Sequence, residues 1–258
     1  MPKETIPHQS QPRDRSRHQF VKKSTSQALR EKLKKSLDEM ETDGVIEKVD
    51  TPTEWLNSVV VVEPNSDKIR ICLDPRPLNE AIQREHFKMP TIDEITTRIA
   101  GAKIFTKLDA NHGYWQIPLD EENRLLTTFN TPFGRYCYKR MPFGIKSAQE
   151  VFQKRMCQSF GDLEGVETDV DDILVWGSTV KEHEERLKKN ITTVPRNTRL
   201  TLNKKKCEFG IKEVTYIGHK LTPDGVKPDE QKVTAIKEMP PPEDRKGVER
   251  LIGTVNYT

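Results

Sequence analysis

Cysteine is scarce and scattered: Cys72, Cys137, Cys157 and Cys207 lie 65, 20 and 50 residues apart. That spacing has neither the close pairs of a zinc site nor the density of a disulfide framework, so reduced thiols in an intracellular protein are expected, the compartment being open. Long apolar runs are missing too. The longest β-branched run is Val59 to Val62, and Met1 to Ser10 has no apolar core, so neither a membrane span nor a signal peptide is expected. Aromatic residues are only 7% and hydrophobic residues 33% of the 258, against 32% charged residues and 17 prolines, which describes a polar, loop-rich protein. The length nevertheless suffices for one large or two ordinary domains. A strong overall charge is also lacking, at +3, but residues 181 to 220 hold eleven Lys/Arg against five Glu. Such a local excess suits a polyanionic partner, although a charge run is also what a solvated face looks like. No internal repeat is visible.

What is present divides into short, clearly punctuated elements. Residues 1 to 23 are polar and are expected to be disordered. Leu29, Leu33, Leu37 and Met40 form one stripe of a helix that Ser24 to Ser26 could cap and Gly44 ends. Ser58 to Glu63 and Lys68 to Leu73 predict a hairpin around Pro64-Asn65-Ser66-Asp67, with Lys68 and Arg70 on its second strand and Asp74-Pro75-Arg76 as a stop. Ile92, Ile95 and Ile99 predict a short helix between Pro90 and Ala100, capped by Thr91. Lys103 to Asp109 is an apolar strand closed by one acid. Phe129 to Tyr138 predicts two strands around Thr131-Pro132-Phe133-Gly134, and Ser147 to Phe160 a helix with Ala148, Val151, Phe152, Met156 and Phe160 inward. A helix over Glu182 to Ile191 is expected to be broken by Pro195. Val214 to Leu221 is strand-like and split at Gly218, Thr222-Pro223-Asp224-Gly225 is a turn, and Arg245 to Tyr257 has helical spacing.

The stretch Thr168-Asp169-Val170-Asp171-Asp172-Ile173-Leu174-Val175-Trp176-Gly177 predicts a hairpin with carboxylates at its turn. Strands accept Asp poorly and adjacent acids repel, which a divalent cation would relieve; a solvated turn is the plainer alternative. Asp109 stands 62 and 63 positions before Asp171 and Asp172. If the hairpin lies beside the Asp109 strand, the three acids converge and can hold two cations roughly 4 Å apart, the arrangement of in-line phosphoryl transfer. Lys68 and Arg70 could then clamp a triphosphate. For Tyr114 and Trp115, after the Asn111-His112-Gly113 turn, core packing is the ordinary role.

Five stretches in order carry a resemblance. They are Lys68 to Asn79, Thr106 to Ala110 with Gly113 to Leu119, Met141 to Ala148, Val170 to Val175, and Tyr216 to His219. Over roughly residues 28 to 257 the chain resembles the reverse transcriptases of gypsy-type LTR retrotransposons. The resemblance implies an α+β fold: a right-hand polymerase with fingers, a palm built as an antiparallel sheet with helices on one face, and a truncated thumb. By position, 24–100 would be the N-terminal helix and fingers, 101–117 palm, 118–146 fingers, 147–220 palm with the acid and primer-grip hairpins, and 221–258 partial thumb. It implies RNA-directed DNA polymerase activity with two Mg²⁺ ions, Mn²⁺ being a possible substitute, held by Asp109, Asp171 and Asp172. Lys68, Arg70, Tyr114, Phe143 and Gly144 would meet the dNTP, Tyr114 by excluding a 2′-hydroxyl. Asn79, Tyr216, Ile217, Gly218 and His219 would meet an RNA or DNA primer-template, whose sequence is read by base pairing.

The chain also departs from that pattern. Asp169 stands where an aromatic is usual, and would either add charge near the cations or point away on the other strand face. His112 replaces a small polar residue, and Pro195 interrupts a helix. The ribonuclease H and integrase regions of a full polyprotein are expected to be absent, at a cost to primer-template grip. The rival expectation is a catalytically inactive remnant that at most binds nucleic acid.

Overall fold

A computed structural model describes residues 27–62, 69–198 and 200–255, with side chains of 191–198 excepted. The polar N-terminal stretch, the Ser24 to Ser26 cap, Lys68 and the last helical turn to Tyr257 lie outside them. The order begins α1 (Gln27–Thr42), β1 (Ile46–Lys48), β2 (Ser58–Val62), β3 (Arg70–Asp74), α2 (Arg76–Ala81), α3 (Ile92–Arg98), β4 (Ile104–Asp109) and a 3-10 turn over Gly113–Gln116. It continues α4 (Glu121–Leu126), β5 (Phe129–Thr131), β6 (Gly134–Tyr138), α5 (Ala148–Phe160), β7 (Val166–Asp169), β8 (Asp172–Gly177) and α6 (Val180–Thr198). It ends β9 (Glu208–Ile211), β10 (Val214–Tyr216), β11 (His219–Thr222), β12 (Gly225–Pro228), α7 (Glu230–Lys237) and α8 (Arg245–Val255). Two compact units share these elements, each drawn from two stretches of chain: residues up to Lys88 with His112–Arg155, and Met89–Asn111 with the residues from Met156 on.

In the first unit, α1 buries Leu33, Leu37 and Met40, the stripe that its sequence shows. Gly44 at φ +67 turns the chain out of it, and the Val45 N–H donates to the Met40 carbonyl at 2.9 Å. Sheet β1-β6-β5 holds the aromatic core, with Phe129, Tyr136 and Tyr138 fully buried and the Phe129 ring 5.4 Å from that of Tyr138. Each such side chain contributes on the order of 1.5–3 kcal/mol by leaving water. β2 and β3 form the expected hairpin, Val62 facing Arg70. Two short helices were not expected. In α2, proline in the first turn loses no hydrogen bond, and in α4 the Asp120 side chain caps the Asn123 N–H at 2.8 Å.

The second unit is built on a four-stranded antiparallel sheet in the order β7-β8-β4-β9. Side chains alternate along β4. Phe105 points to a cluster with Leu174, with Ile95 and Ile99 of α3 and with Val214, Tyr216 and Leu221. Thr106 faces the other way, where its hydroxyl meets His183 of α6 at 2.9 Å. Helix α6 and the end of α5 thus cover one face, Cys157 of α5 lying 4.0 Å from Thr168 of β7, and α3 adds a helix on the other. Thr91 and Glu94 complete a capping box on α3. Arg98 then grips Glu167 of β7 with two nitrogens, at 2.5 and 2.7 Å.

Pro195 does not break α6. The helix continues to Thr198, three residues past the proline. Proline removes one ladder bond, to the carbonyl four residues back, and near the end of a nineteen-residue helix the remaining bonds and the packing of its first turns outweigh that loss. Strands β9 and β12 are further elements that the periodicity did not reveal. Among the described residues, no helix is long and apolar enough to cross a membrane.

A candidate carboxylate site on the four-stranded sheet

The local sequence explains why acids gather at one end of this sheet. Thr106-Lys107-Leu108 and Ile173-Leu174-Val175 are strand formers whose buried members fix the β4–β8 register, and a slip of one residue would turn every side chain to the wrong face. In the register observed, Asp109 stands directly opposite Asp172, and Asp172 directly opposite Asp169. Asp171 is in the two-residue turn between β7 and β8, and its carbonyl accepts from the Ala110 N–H at 2.7 Å. The other turn residue, Val170, has φ +48, a conformation a β-branched residue adopts only under constraint.

Like charges across a ladder weaken it, so these carboxylates require cations. Two lysines supply them. Lys107 Nζ is 2.8 Å from Asp172 Oδ2, and Lys206 Nζ is 3.2 Å from Asp109 Oδ2. The Lys206 turn is itself tied to β4, since the Asn203 N–H donates to the Asp109 carbonyl at 2.9 Å. Among the described residues Asp171 has no such partner, and its buried Oδ1 accepts no hydrogen bond. Burial, and then the charges of Asp109 and Asp172, push its carboxyl up to about 6, with Lys206 pulling the other way. Asp169 is raised by burial and by Asp172 and lowered by Lys107. It therefore lies with Asp172 rather than on the other face.

Among the described residues, no three His, Cys, Asp or Glu side chains form a ready metal cage. Mg²⁺ seldom needs such a cage, since it is bound through one or two carboxylates with waters and substrate phosphates completing the shell. The orphaned oxygen of Asp171 between two further acids has the chemistry of a divalent-cation ligand, so the donor set fits such an ion.

The remaining site residues fall elsewhere. In the first unit, Tyr114 packs against Phe143 with ring centroids 5.1 Å apart and edge-on to Phe152 at 5.8 Å. Phe143 remains exposed. Gly144 has φ +97, and a Cβ there would lie 3.3 Å from the Pro75 ring, so both conformation and space favour glycine. Asn79 fastens this loop: its amide donates to the Gly144 carbonyl at 2.8 Å and its oxygen accepts from the Lys146 N–H at 2.9 Å. Both bonds fix the loop that carries Gly144. Arg70 is exposed at the start of β3. His112 adopts a left-handed conformation and stacks on Trp115 at 5.0 Å.

In the second unit, Ile217 and Gly218 form the tight turn joining β10 to β11, both with positive φ, and His219 Nδ1 is 3.0 Å from the Ile217 carbonyl. Tyr216 is fully buried, so its ring belongs to the core and not to a primer-facing surface. Lys107 and Lys206 escaped the sequence reading as site residues. For Lys107 a signal existed, since it lies two positions before Asp109 on one strand and so shares its face.

Comparison with known proteins agrees with this geometry. The family model described as reverse transcriptase (RNA-dependent DNA polymerase) matches residues 61–221. The Retrovirus-related Pol polyprotein from transposon 412 of Drosophila melanogaster is 37% identical over 75% of this chain and 16% of its own length. That from transposon 297 of the same fly is 33% identical over 87% of this chain and 22% of its own. The chain thus spans less than a quarter of the length of these relatives. Among solved structures, a foamy viral protease-reverse transcriptase in complex with double-stranded DNA superposes with a TM-score of 0.84 at 20% identity, covering 100% of this chain and 44% of the other. That likeness shows the fold, an α+β right-hand polymerase. With more than half of its residues matched by the family model and its motifs in order, the chain belongs to the reverse transcriptase (RNA-dependent DNA polymerase) family, of the LTR retrotransposon kind.

Proposed function

We propose that this domain extends a primer 3′-hydroxyl with deoxynucleotides on an RNA or DNA template, with Asp109, Asp171 and Asp172 as ligands for two divalent cations, Mg²⁺ or Mn²⁺. The observation that supports this reading is that Asp109 faces Asp172 while Asp171, in the adjoining turn, feels both charges and has, among the described residues, a buried Oδ1 without a hydrogen-bond partner. Bound there, a pair of divalent ions would activate the attacking hydroxyl and neutralise charge on the leaving pyrophosphate. The carboxylates fix where such ions sit because they project from paired strands and a tight turn rather than from a free loop. Lys107 and Lys206 pair with Asp172 and Asp109 in the absence of such ions.

Arg70 of the first unit, together with Lys68 two positions before it in sequence, would steady the triphosphate, a task suited to the planar fork of arginine. Tyr114, braced by Phe143 and Phe152, would form a rigid wall under the sugar and exclude a 2′-hydroxyl. Gly144 gives that wall a closely packed floor, fastened by Asn79. The Ile217-Gly218 turn and His219 are the surface-facing part of the primer grip, with Tyr216 as its buried anchor. Foamy viral protease-reverse transcriptases are known in complex with dsDNA and with an RNA/DNA hybrid, which supports a paired primer-template as the partner of this chain.

The test is extension of a DNA primer on an RNA template by the purified protein. Extension that needs Mg²⁺ and is lost in Asp171→Asn supports the reading; undiminished extension by the variant refutes it. Binding of primer-template without extension at any Mg²⁺ concentration selects instead the inactive, nucleic-acid-binding remnant, which the lysine-occupied acids favour.

A further inference from the structure

The row of opposed acids does not stop at the three expected ligands. Asp109 faces Asp172 across β4 and β8, and Asp172 faces Asp169 across β8 and β7, so three carboxylates cross three strands on one face. Opposed residues in an antiparallel pair have Cβ atoms about 4.5–5.5 Å apart, so the two repulsive contacts share Asp172. Two ammonium groups answer three acids. Lys206 serves Asp109, and Lys107 serves Asp172. Asp169, half-buried, has neither a hydrogen bond nor an ion pair of its own among the described residues.

Lys107 is placed to serve both remaining acids. It lies two positions before Asp109, so its stem rises from the same face, and its ammonium also donates to the Thr215 carbonyl at 3.3 Å. Asp169 stands directly opposite Asp172, the acid with which Lys107 pairs. A divalent cation that takes Asp172 must displace this ammonium, which is then left half-buried beside a doubly charged ion. The next anionic acceptor on that face is Asp169.

We infer that Asp169 is a positioning residue of the carboxylate site: it is the second acceptor for Lys107, receiving that ammonium when Asp172 turns to a divalent cation. This rests on the proposed role of Asp109, Asp171 and Asp172. Because the lysine moves from one carboxylate to the adjacent one, its ammonium keeps an anionic partner through the exchange. Without Asp169, Lys107 has only Asp172, and the cation must compete with it.

A double-mutant cycle with Mg²⁺ as the probe tests this, read as the Mg²⁺ concentration giving half of the thermal stabilisation and, separately, half of the maximal extension rate. Asp169→Asn is expected to raise both half-saturation values roughly 10-fold, the size typical of a lost outer partner of a metal ligand, with the effect on half-saturation rather than on maximal rate. Lys107→Met is expected to lower them. In the Lys107→Met background, Asp169→Asn is expected to change them by less than about twofold, because the two residues act as one unit. Asp169→Glu, which keeps an acceptor, is expected to restore most of the response.

An equal shift from Asp169→Asn with and without Lys107 would overturn the inference, since Asp169 would then act on the ion directly through its own charge. No shift in either background would overturn it as well. The Asp171→Asn control separates this from the site itself: if that variant keeps the full Mg²⁺ response, the carboxylate reading fails. If it loses the response while the cycle is additive, only the role of Asp169 falls.

Discussion

Asp109 and Asp172 face each other across β4 and β8, and each is held by a lysine, Lys206 and Lys107 respectively. The third acid, Asp171, is left to bear its charge without a partner, which sets the first prediction. Its carboxyl is raised to about 6 by burial and by its two neighbours. An acid whose pKa is higher folded than unfolded costs no stability while protonated in both states, and costs increasingly as pH rises through the folded value. Asp171→Asn should therefore melt at a higher temperature than the parent at pH 8 without divalent cations, and the gap should close between pH 6 and 4. Mg²⁺ should stabilise the parent and not the variant. Scanning calorimetry across that range checks both statements.

His183 gives a prediction of opposite sign. It is buried, with Nε2 2.9 Å from the Thr106 hydroxyl, and burial lowers its pKa while Glu184 opposes this weakly. A base held neutral by burial contributes its stability fully above the unfolded value near 6.5 and loses it as pH falls toward the lower folded value. His183→Gln, which can keep a hydrogen bond to Thr106, should flatten the acid limb of the stability curve below the unfolded value near pH 6.5. A variant whose acid limb matches that of the parent would remove His183 from the account.

At Gly144 the prediction is steric. The residue has φ +97 and a Cβ would lie 3.3 Å from the Pro75 ring, so Gly144→Ala should cost about 1–3 kcal/mol in chemical denaturation. Asn79→Ala, which removes the side chain that fastens the same loop through two hydrogen bonds, should cost a similar amount.

Tyr114 tests nucleotide choice. Its ring is held between Phe143 and Phe152, so truncation should open the wall beneath the sugar without unfolding the unit. Tyr114→Ala should incorporate ribonucleotides at least 10-fold more readily relative to deoxynucleotides, an expected change of about 1.4 kcal/mol in discrimination. Competition between rATP and dATP in single-nucleotide extension measures this ratio; an unchanged ratio would end that role for Tyr114.

The parts of this protein legible in its sequence are those written in local pattern. The acid-tipped strand ending in Asp109 and the hairpin bearing Asp171 and Asp172 each carry a run of strand-forming residues, so their pairing could be anticipated. Helices α1, α3 and α5 announce themselves by their apolar stripes, and α3 by its Thr91 cap as well. Short elements such as α2, α4, β9 and β12 are six residues or fewer and owe their form to caps and tertiary packing, which periodicity over so few positions cannot show. Proline at 195 looked decisive from sequence, because its cost is local while the support for α6 comes from the packed turns before it. Lys107 could have been placed on the face of Asp109 by the alternation of its strand, though its pairing with Asp172 depends on register. The ion pair of Lys206 with Asp109 joins residues 97 positions apart, so no spacing rule exposes it. The same is true of Tyr216, whose motif suggests a surface and whose ring fills the core.

Binding of Mn²⁺, followed by loss of the free-ion electron paramagnetic resonance signal, tests most directly whether the three acids share cations. The account predicts saturable binding by the parent protein that disappears in Asp171→Asn and is sharply weakened in Asp109→Asn and Asp172→Asn. Unaltered Mn²⁺ binding in all three variants would contradict it.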